Sequence, residues 1–154
     1  MILEKEYNEF ENLLNKNGDE ERINELFGEI LEKSIEILNE KSESNQFLEY
    51  PEHHFVIRAL FEYFLELWSE GAYEEAKALG YDLVYMVNDE NLQEAFSMFI
   101  LGVLEKLPVE KFLDLYVIPE NEDNNYEMFF INFNDEIDEL IIKHRETFAK
   151  EFSE

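Results

Sequence analysis

The sequence predicts an all-α protein: a single domain over residues 1–154, a bundle of about seven helices joined by short turns. Apolar residues recur at spacings of three and four along most of the chain, which is the period of a helix with one buried face. Glycine, proline and capping residues interrupt that period at short intervals. No linker and no shift in composition divides the chain.

The first two helices are predicted to be amphipathic. The first carries apolar residues at spacings of four, three and four, namely Leu3, Tyr7, Phe10 and Leu14. Asn17-Gly18 ends it. Asp19 is a typical N-cap for a second helix, which we expect to end near Lys41.

A third helix is predicted over about residues 51–69, with Pro51 in its first turn, where the missing N–H is tolerated. It is apolar nearly all round, which is typical of a helix surrounded by others. We therefore expect it to be the central helix of the bundle.

The remaining helices follow in short order. Gly71 precedes a fourth helix, about 72–87, and Asn88-Asp89 caps a fifth, about 90–106. A short sixth helix lies between Pro108 and Pro119. Residues 120–125 form a polar loop, and residues 126–133 fit either an extended segment or a helical turn. The final helix, from about residue 134, is expected to bury Ile137, Leu140, Ile141, His144, Phe148 and Phe152.

Composition limits the classes of function. The chain has 38 Asp and Glu against 12 Lys and Arg, a formal net charge of −26, which disfavours binding to nucleic acid or to an anionic membrane. It has no cysteine, and its first residues alternate apolar and acidic types, unlike a signal peptide. The longest apolar run, 95–104, is about half the roughly 20 residues of a membrane-spanning helix. We expect a cytoplasmic protein.

No catalytic or metal-binding pattern is found, so we expect neither an enzyme nor a cofactor. The three histidines do not form the Glu-x-x-His motifs of di-metal bundles, and His144 fits a satisfied, partly buried residue. Asn121, Asp123 and Asn125 alternate as in a calcium loop, but its glycine and final glutamate are replaced by Tyr126 and Asn132. Phosphate-binding glycine loops and serine nucleophile motifs are absent from the sequence.

The acidity is most concentrated in residues 112–142, which contain no Lys or Arg. Such a single-sign patch costs self-repulsion and suits a cationic partner. Tyr116, Tyr126, Phe129 and Phe130 lie in the same stretch and are either aromatic anchors or core. The predicted partner-binding residues are Glu120, Glu122, Asp123, Tyr126, Asp135, Glu136, Asp138 and Glu139.

Three functions are consistent with these patterns. The first, which we favour, is an acidic inhibitor that neutralises a basic protein partner such as a nuclease toxin, similar in character to immunity proteins and antitoxins. The second is a DNA mimic that occupies a nucleic-acid-binding groove in an anti-defence role. The third is a helical adaptor or chaperone that holds a peptide. Concentrated charge accompanied by aromatic residues favours the first, because a mimic would spread its acids along an elongated face.

Overall fold

The all-α prediction is confirmed. The structure is a computed structural model that describes residues 1–119, 126 and 129–153, with side chains as far as residue 151. Within these residues it contains seven α-helices, a 3-10 turn and four strands of two residues each. The helices are α1 Glu4–Asn15, α2 Glu20–Glu43, α3 His54–Ser69, α4 Tyr73–Met86, α5 Glu90–Glu105, α6 Val109–Tyr116 and α7 Asp138–Ser153.

The chain divides into two compact units. One comprises Met1–Tyr63 with Met86–Asn88, and the other comprises Phe64–Tyr85 with Asp89–Glu154. The sequence-based prediction of a single domain stays a prediction.

In the first unit, α1 and α2 pack together through the apolar stripes that the sequence predicts. The ring of Phe10 lies 5.4 Å from that of Phe27, and Tyr7 lies 5.3 Å from Phe55. Asp19 caps α2 as expected, because its Oδ1 accepts a hydrogen bond of 3.1 Å from the Glu21 amide. Strand β1, Leu48–Glu49, pairs in parallel with β2, Val87–Asn88.

Helix α3 begins later than predicted. Residues 50–53 form a turn in which the His53 amide donates to the Glu49 carbonyl, so helical hydrogen bonding starts only with the Ile57 amide bonding to the His53 carbonyl. Pro51 therefore lies in this turn and not in the first turn of the helix. From there α3 is buried along most of its length, and only Glu66 and Ser69 are exposed.

The second unit has an aromatic core. The rings of Trp68 and Phe112 lie 5.4 Å apart edge to face, and Phe99 lies 5.3 Å from Phe112. The indole N–H of Trp68 donates a hydrogen bond of 2.7 Å to the Leu107 carbonyl, which satisfies its buried polar atom. Helix α5 packs along α7 beside this core.

The segment predicted as either extended or helical contains a strand. Strand β3, Val117–Ile118, directly follows α6 and pairs antiparallel with β4, Asn132–Phe133. The 3-10 turn Asp135–Ile137 follows β4 and leads into α7. Helix α7 therefore begins four residues later than the predicted start near 134. This strand pair and turn position the candidate site.

Candidate functional site

Four acidic residues lie within five positions at the start of α7. Asp135 and Glu136 belong to the 3-10 turn, Asp138 and Glu139 form the first turn of α7, and all four are exposed. We call these four residues the acidic surface. Among the described residues, none of their carboxylates lies within 4.0 Å of a basic nitrogen.

Asn134 fixes the position of the acidic surface relative to α6. Its backbone N–H donates to the Tyr116 carbonyl at 2.9 Å, and its side-chain amide donates to the Leu115 carbonyl at 2.7 Å. Its Oδ1 accepts a hydrogen bond of 3.1 Å from the Glu136 amide and so caps the 3-10 turn. One side chain thus joins the end of α6 to the beginning of the acidic surface.

The acids also have a local structural role. Carboxylates in the first turn of a helix interact favourably with its unpaired N–H groups and dipole, at about 0.3–1 kcal/mol each. All four residues of the acidic surface occupy such first-turn positions. Helix stabilisation therefore accounts for part of the acidity.

Glu105, at the end of α5, borders this region and is paired. The Lys143 Nζ donates to Glu105 Oε1 at 2.6 Å, and His144 Nε2 lies 2.6 Å from Oε2. The hydrogen bond from Lys143, together with that from His144, holds the pKa of the Glu105 carboxyl below its ordinary value. Lys143 is the first cation after the acidic stretch, and it neutralises Glu105 rather than the acidic surface. His144 is partly buried and partnered, as predicted.

Tyr116 is the last residue of α6, and its backbone carbonyl accepts the hydrogen bond from the Asn134 N–H. Its ring packs 5.4 Å from that of Phe112, and the residue is only 9% exposed. Burial, followed by the charges of Glu139, Glu105 and Glu136, raises the pKa of its phenol above the ordinary value, and Lys143 opposes this shift. The phenol therefore stays protonated at neutral pH.

The structure buries Tyr126, one of the predicted partner-binding residues, and its role in binding stays a prediction. It is 7% exposed, and its hydroxyl donates to Asp89 Oδ1 at 2.9 Å and accepts from the Asn91 amide at 3.1 Å. Its polar end is thus engaged by the start of α5. Phe129 is buried as well, against Phe96, and Phe130 is half-buried.

The remaining predicted binding residues, Glu120, Glu122 and Asp123, lie outside the described residues. Of the eight predicted residues, the structure brings together Asp135, Glu136, Asp138 and Glu139. Sequence reasoning missed Asn134 as the residue that positions them. An asparagine directly before an acidic pair is a recognisable cap signal, but its hydrogen bond to Leu115 carries no sequence pattern.

An apolar cleft of about 300 Å³ lies between α5 and α7. Its walls include Met98, Leu101, Ile141 and Phe148, and Arg145 is its one charged lining residue. The cleft is a second surface feature of the same unit, distinct in character from the acidic surface.

The described part of the chain contains no group of three or more histidine or acidic side chains arranged to hold a metal ion. In the same residues, the helices are all too short or too polar to cross a membrane. No protein-family model, curated protein or solved structure matches the chain.

Proposed function

We propose that the chain is a non-catalytic inhibitor that binds and neutralises a basic protein, such as a nuclease toxin, in the manner of immunity proteins and antitoxins. The acidic surface is the binding site. The observation that carries the proposal is the set of four exposed carboxylates without a basic partner among the described residues. The undescribed residues 120–125, 127, 128 and 154 contain no Lys or Arg, so they supply no neutralising cation either.

The negative charge of the acidic surface acts mainly on the rate at which the partner associates. An uncompensated acidic patch steers a cationic partner toward it and raises the association rate, most strongly at low ionic strength. It also disfavours acidic competitors, which would bring like charges together. A basic enzyme whose active site binds nucleic acid phosphates presents the complementary surface.

The α2 helix provides a matched control for the acidic surface. Glu29, Glu32, Glu36 and Glu40 are also exposed and form no ion pair with the described residues, but Lys33 and Lys41 interleave with them. They also lie outside the first turn of a helix. Neutralising them removes the same number of charges without touching the proposed site.

The test compares two quadruple variants. One carries Asp135→Asn, Glu136→Gln, Asp138→Asn and Glu139→Gln, and the other carries Glu→Gln at positions 29, 32, 36 and 40. A partner is first identified by capture from the native host or from the adjacent reading frame, and its enzymatic activity is established. The dissociation constant and the inhibition of that activity are then measured at 50 and 150 mM salt for both variants, after circular dichroism has confirmed helicity.

We expect the acidic-surface variant to bind at least tenfold more weakly, about 1.4 kcal/mol, and to release the partner's activity. The affinity of the α2 variant for the partner should fall by less than about threefold, because its mutations change only long-range electrostatic interactions. If the α2 variant loses binding and the acidic-surface variant keeps it, the placement of the site is wrong. Equal affinities for all three proteins would contradict the electrostatic proposal.

The α5–α7 cleft supports a second candidate, the peptide-binding adaptor. Its apolar walls suit a buried aliphatic side chain, and such concave apolar sites are typical of ligand and peptide binding. If the chain is a peptide-binding adaptor, Leu101→Gln or Phe148→Ala should weaken partner binding, whereas the acidic-surface variant should bind the partner normally. The two candidates therefore make opposite predictions for the same partner.

A further inference from the structure

Arg145 is one of three arginines in a chain with 38 Asp and Glu, and it differs from the other two in its surroundings. Arg22 lies 3.5 Å from Glu9, and the Nε of Arg58 lies 3.1 Å from a carboxylate oxygen of Glu62. Among the described residues, no carboxylate oxygen lies within 4.0 Å of an Arg145 nitrogen. Its guanidinium is therefore available to an external anion.

The sequence around Arg145 explains why it is unpaired. Side chains three and four positions apart are neighbours on a helix surface. For Arg145 these neighbours are Ile141, Ile142, Phe148 and Ala149, all apolar, although α7 carries several acidic residues elsewhere. The helix thus places its arginine in an apolar stripe, out of reach of its own carboxylates.

That stripe forms one wall of the α5–α7 cleft of about 300 Å³, and Met98 and Leu101 of α5 contribute to the opposite wall. Ser97 is the one hydroxyl-bearing residue of the lining, and its Oγ already donates a hydrogen bond of 2.9 Å to the Gln93 carbonyl. Arg145 is the charged member of the lining and is itself exposed. The cleft therefore combines apolar walls with a single cation.

We propose that this cleft binds a medium-chain fatty acid, with its carboxylate on the Arg145 guanidinium and its alkyl chain against the apolar walls. This binding site is separate from the acidic surface and goes beyond the proposed function. Guanidinium and carboxylate form paired, charge-assisted hydrogen bonds, and burial of methylene groups adds a favourable hydrophobic contribution. The cleft lies at the small end of the range for ligand sites, about 300–1,000 Å³, which suits a short chain such as octanoate.

A fatty acid fits the cleft better than the carboxyl end of a peptide does. A peptide brings amide groups, which cost free energy when they leave water without a hydrogen-bond partner. Apart from Arg145 and the engaged Ser97, the lining side chains are apolar, so such partners are scarce. The net charge of −26 opposes any anion, but charges more than about 8 Å away are largely screened at 0.15 M ionic strength.

The test measures binding of octanoate to the full chain at pH 7 and 150 mM salt by calorimetry. Three further probes are hexanoate, 1-octanol, which has the same chain length without the carboxylate, and N-acetyl-glycyl-leucine, which has a peptide carboxyl end. The variants are Arg145→Gln and, as the matched control, Arg22→Gln in α2. The methyl signal of ¹³C-labelled Met98, assigned from Met98→Leu, reports by NMR whether each probe enters the cleft.

We expect octanoate to shift the Met98 signal and to bind at least fivefold more weakly to Arg145→Gln. Its affinity for Arg22→Gln should stay within twofold of that for the unmodified chain. Octanol should bind Arg145→Gln and the unmodified chain within twofold of each other, because it has no carboxylate to lose. Hexanoate should bind at least threefold more weakly than octanoate, since it buries two fewer methylene groups. Thermal melts establish that each variant is folded.

Four results would overturn the inference. No saturable binding at millimolar octanoate, or an unmoved Met98 signal, would mean that the cleft is not a fatty acid site. Equal weakening of octanoate by both arginine variants would assign its binding to overall charge. If Arg145→Gln weakens octanol as much as octanoate, Arg145 shapes the cleft and does not bind the carboxylate. Tighter binding of N-acetyl-glycyl-leucine than of octanoate would assign the cleft to a peptide end. Each of these results leaves the proposed function standing, because no measurement involves the acidic surface or the basic partner.

Discussion

At the scale of single residues, packing is close where α5 passes Trp68. A Cβ added at Gly102 would lie 2.5 Å from Trp68 Cη2 and 2.7 Å from Phe112 Cδ2, both in rigid rings. A side chain has no room there, because neither ring can move without disturbing the aromatic core. Glycine at this position is therefore explained by space, not by backbone conformation.

We expect Gly102→Ala to destabilise the protein by about 1–3 kcal/mol, the usual cost of overpacking a core. Gly28→Ala in α2 is the matched control, because Gly28 is exposed and a Cβ there meets nothing within 4 Å. It should stabilise the protein by about 0.5–1 kcal/mol through helix propensity. Urea titrations that follow Trp68 emission measure both changes, and a tolerated Gly102→Ala would contradict the close approach.

The burial of Tyr126 could not be predicted from the sequence, whereas that of His144 could. That Tyr126 is buried depends on Asp89 and Asn91, more than thirty positions earlier in the chain. A short aromatic run contains no signal of such distant partners, and surface and core remain equally consistent with it. His144, by contrast, shares the apolar stripe of its own helix, so its partial burial was predictable.

At the scale of elements, Asn134 determines how α6 meets the acidic surface. We expect Asn134→Ala to cost about 1–2 kcal/mol, because it removes both a cap and a hydrogen bond to the Leu115 carbonyl. Asn134→Asp keeps the cap acceptor but cannot donate to Leu115. We expect the free energy of unfolding of Asn134→Asp, measured by chemical denaturation, to lie between those of Asn134→Ala and the unmodified chain. Equal stability of all three proteins would mean that the side-chain hydrogen bonds of Asn134 do not stabilise the fold.

The pairing of α5 with α7 through Glu105 predicts a pH dependence. Because the folded-state pKa of Glu105 is lowered, its contribution to stability is present above its ordinary pKa of 4.5 and is lost as pH falls through the folded-state value. We expect Glu105→Gln to cost about 0.5–1 kcal/mol at pH 7, as for a partly exposed ion pair.

The measurement is the difference in unfolding free energy between Glu105→Gln and the unmodified chain from pH 7 to pH 3. That difference should begin to shrink as pH falls through 4.5 and should approach zero once pH is below the folded-state pKa, because the carboxyl is then protonated in both folded and unfolded chains. Taking a difference removes the effect of the many other acids. If the difference in unfolding free energy is unchanged at pH 3, the negative charge of Glu105 does not stabilise the packing of α5 against α7.

The helices were predictable, and the strands between them were not. Long amphipathic periods fixed the type of each helix and most boundaries to within a few residues, because each helix must bury one face. Strands of two residues have no period to detect, and the pairing of 117–118 with 132–133 depends on contacts made after folding. The start of α3 was misplaced because the hydrogen-bonded turn at 50–53 precedes it.

At the scale of the whole molecule, the net charge could be predicted from composition. The arrangement of the charged side chains could be predicted only in part. The sequence located the acidic stretch, and the structure adds that Lys143, directly beyond it, is committed to Glu105. In the first unit, Arg22 lies within 4 Å of both Glu9 and Glu25, and Lys33 reaches Glu6. These exposed pairs offset only a few of the 38 acids.

The excess negative charge predicts that salt stabilises the protein. A folded chain with a net charge of −26 concentrates like charges that the unfolded chain holds further apart, so folding carries an electrostatic cost. Screening over a Debye length of about 8 Å at 0.15 M ionic strength reduces that cost. The melting temperature should therefore rise from 10 mM to 150 mM sodium chloride, and the α2 quadruple variant should show a smaller rise because it carries four fewer charges. Sucrose at equal osmolarity controls for general solute effects. A melting temperature that falls with salt would mean that the ion pairs in the first unit and at Glu105 contribute more than self-repulsion costs.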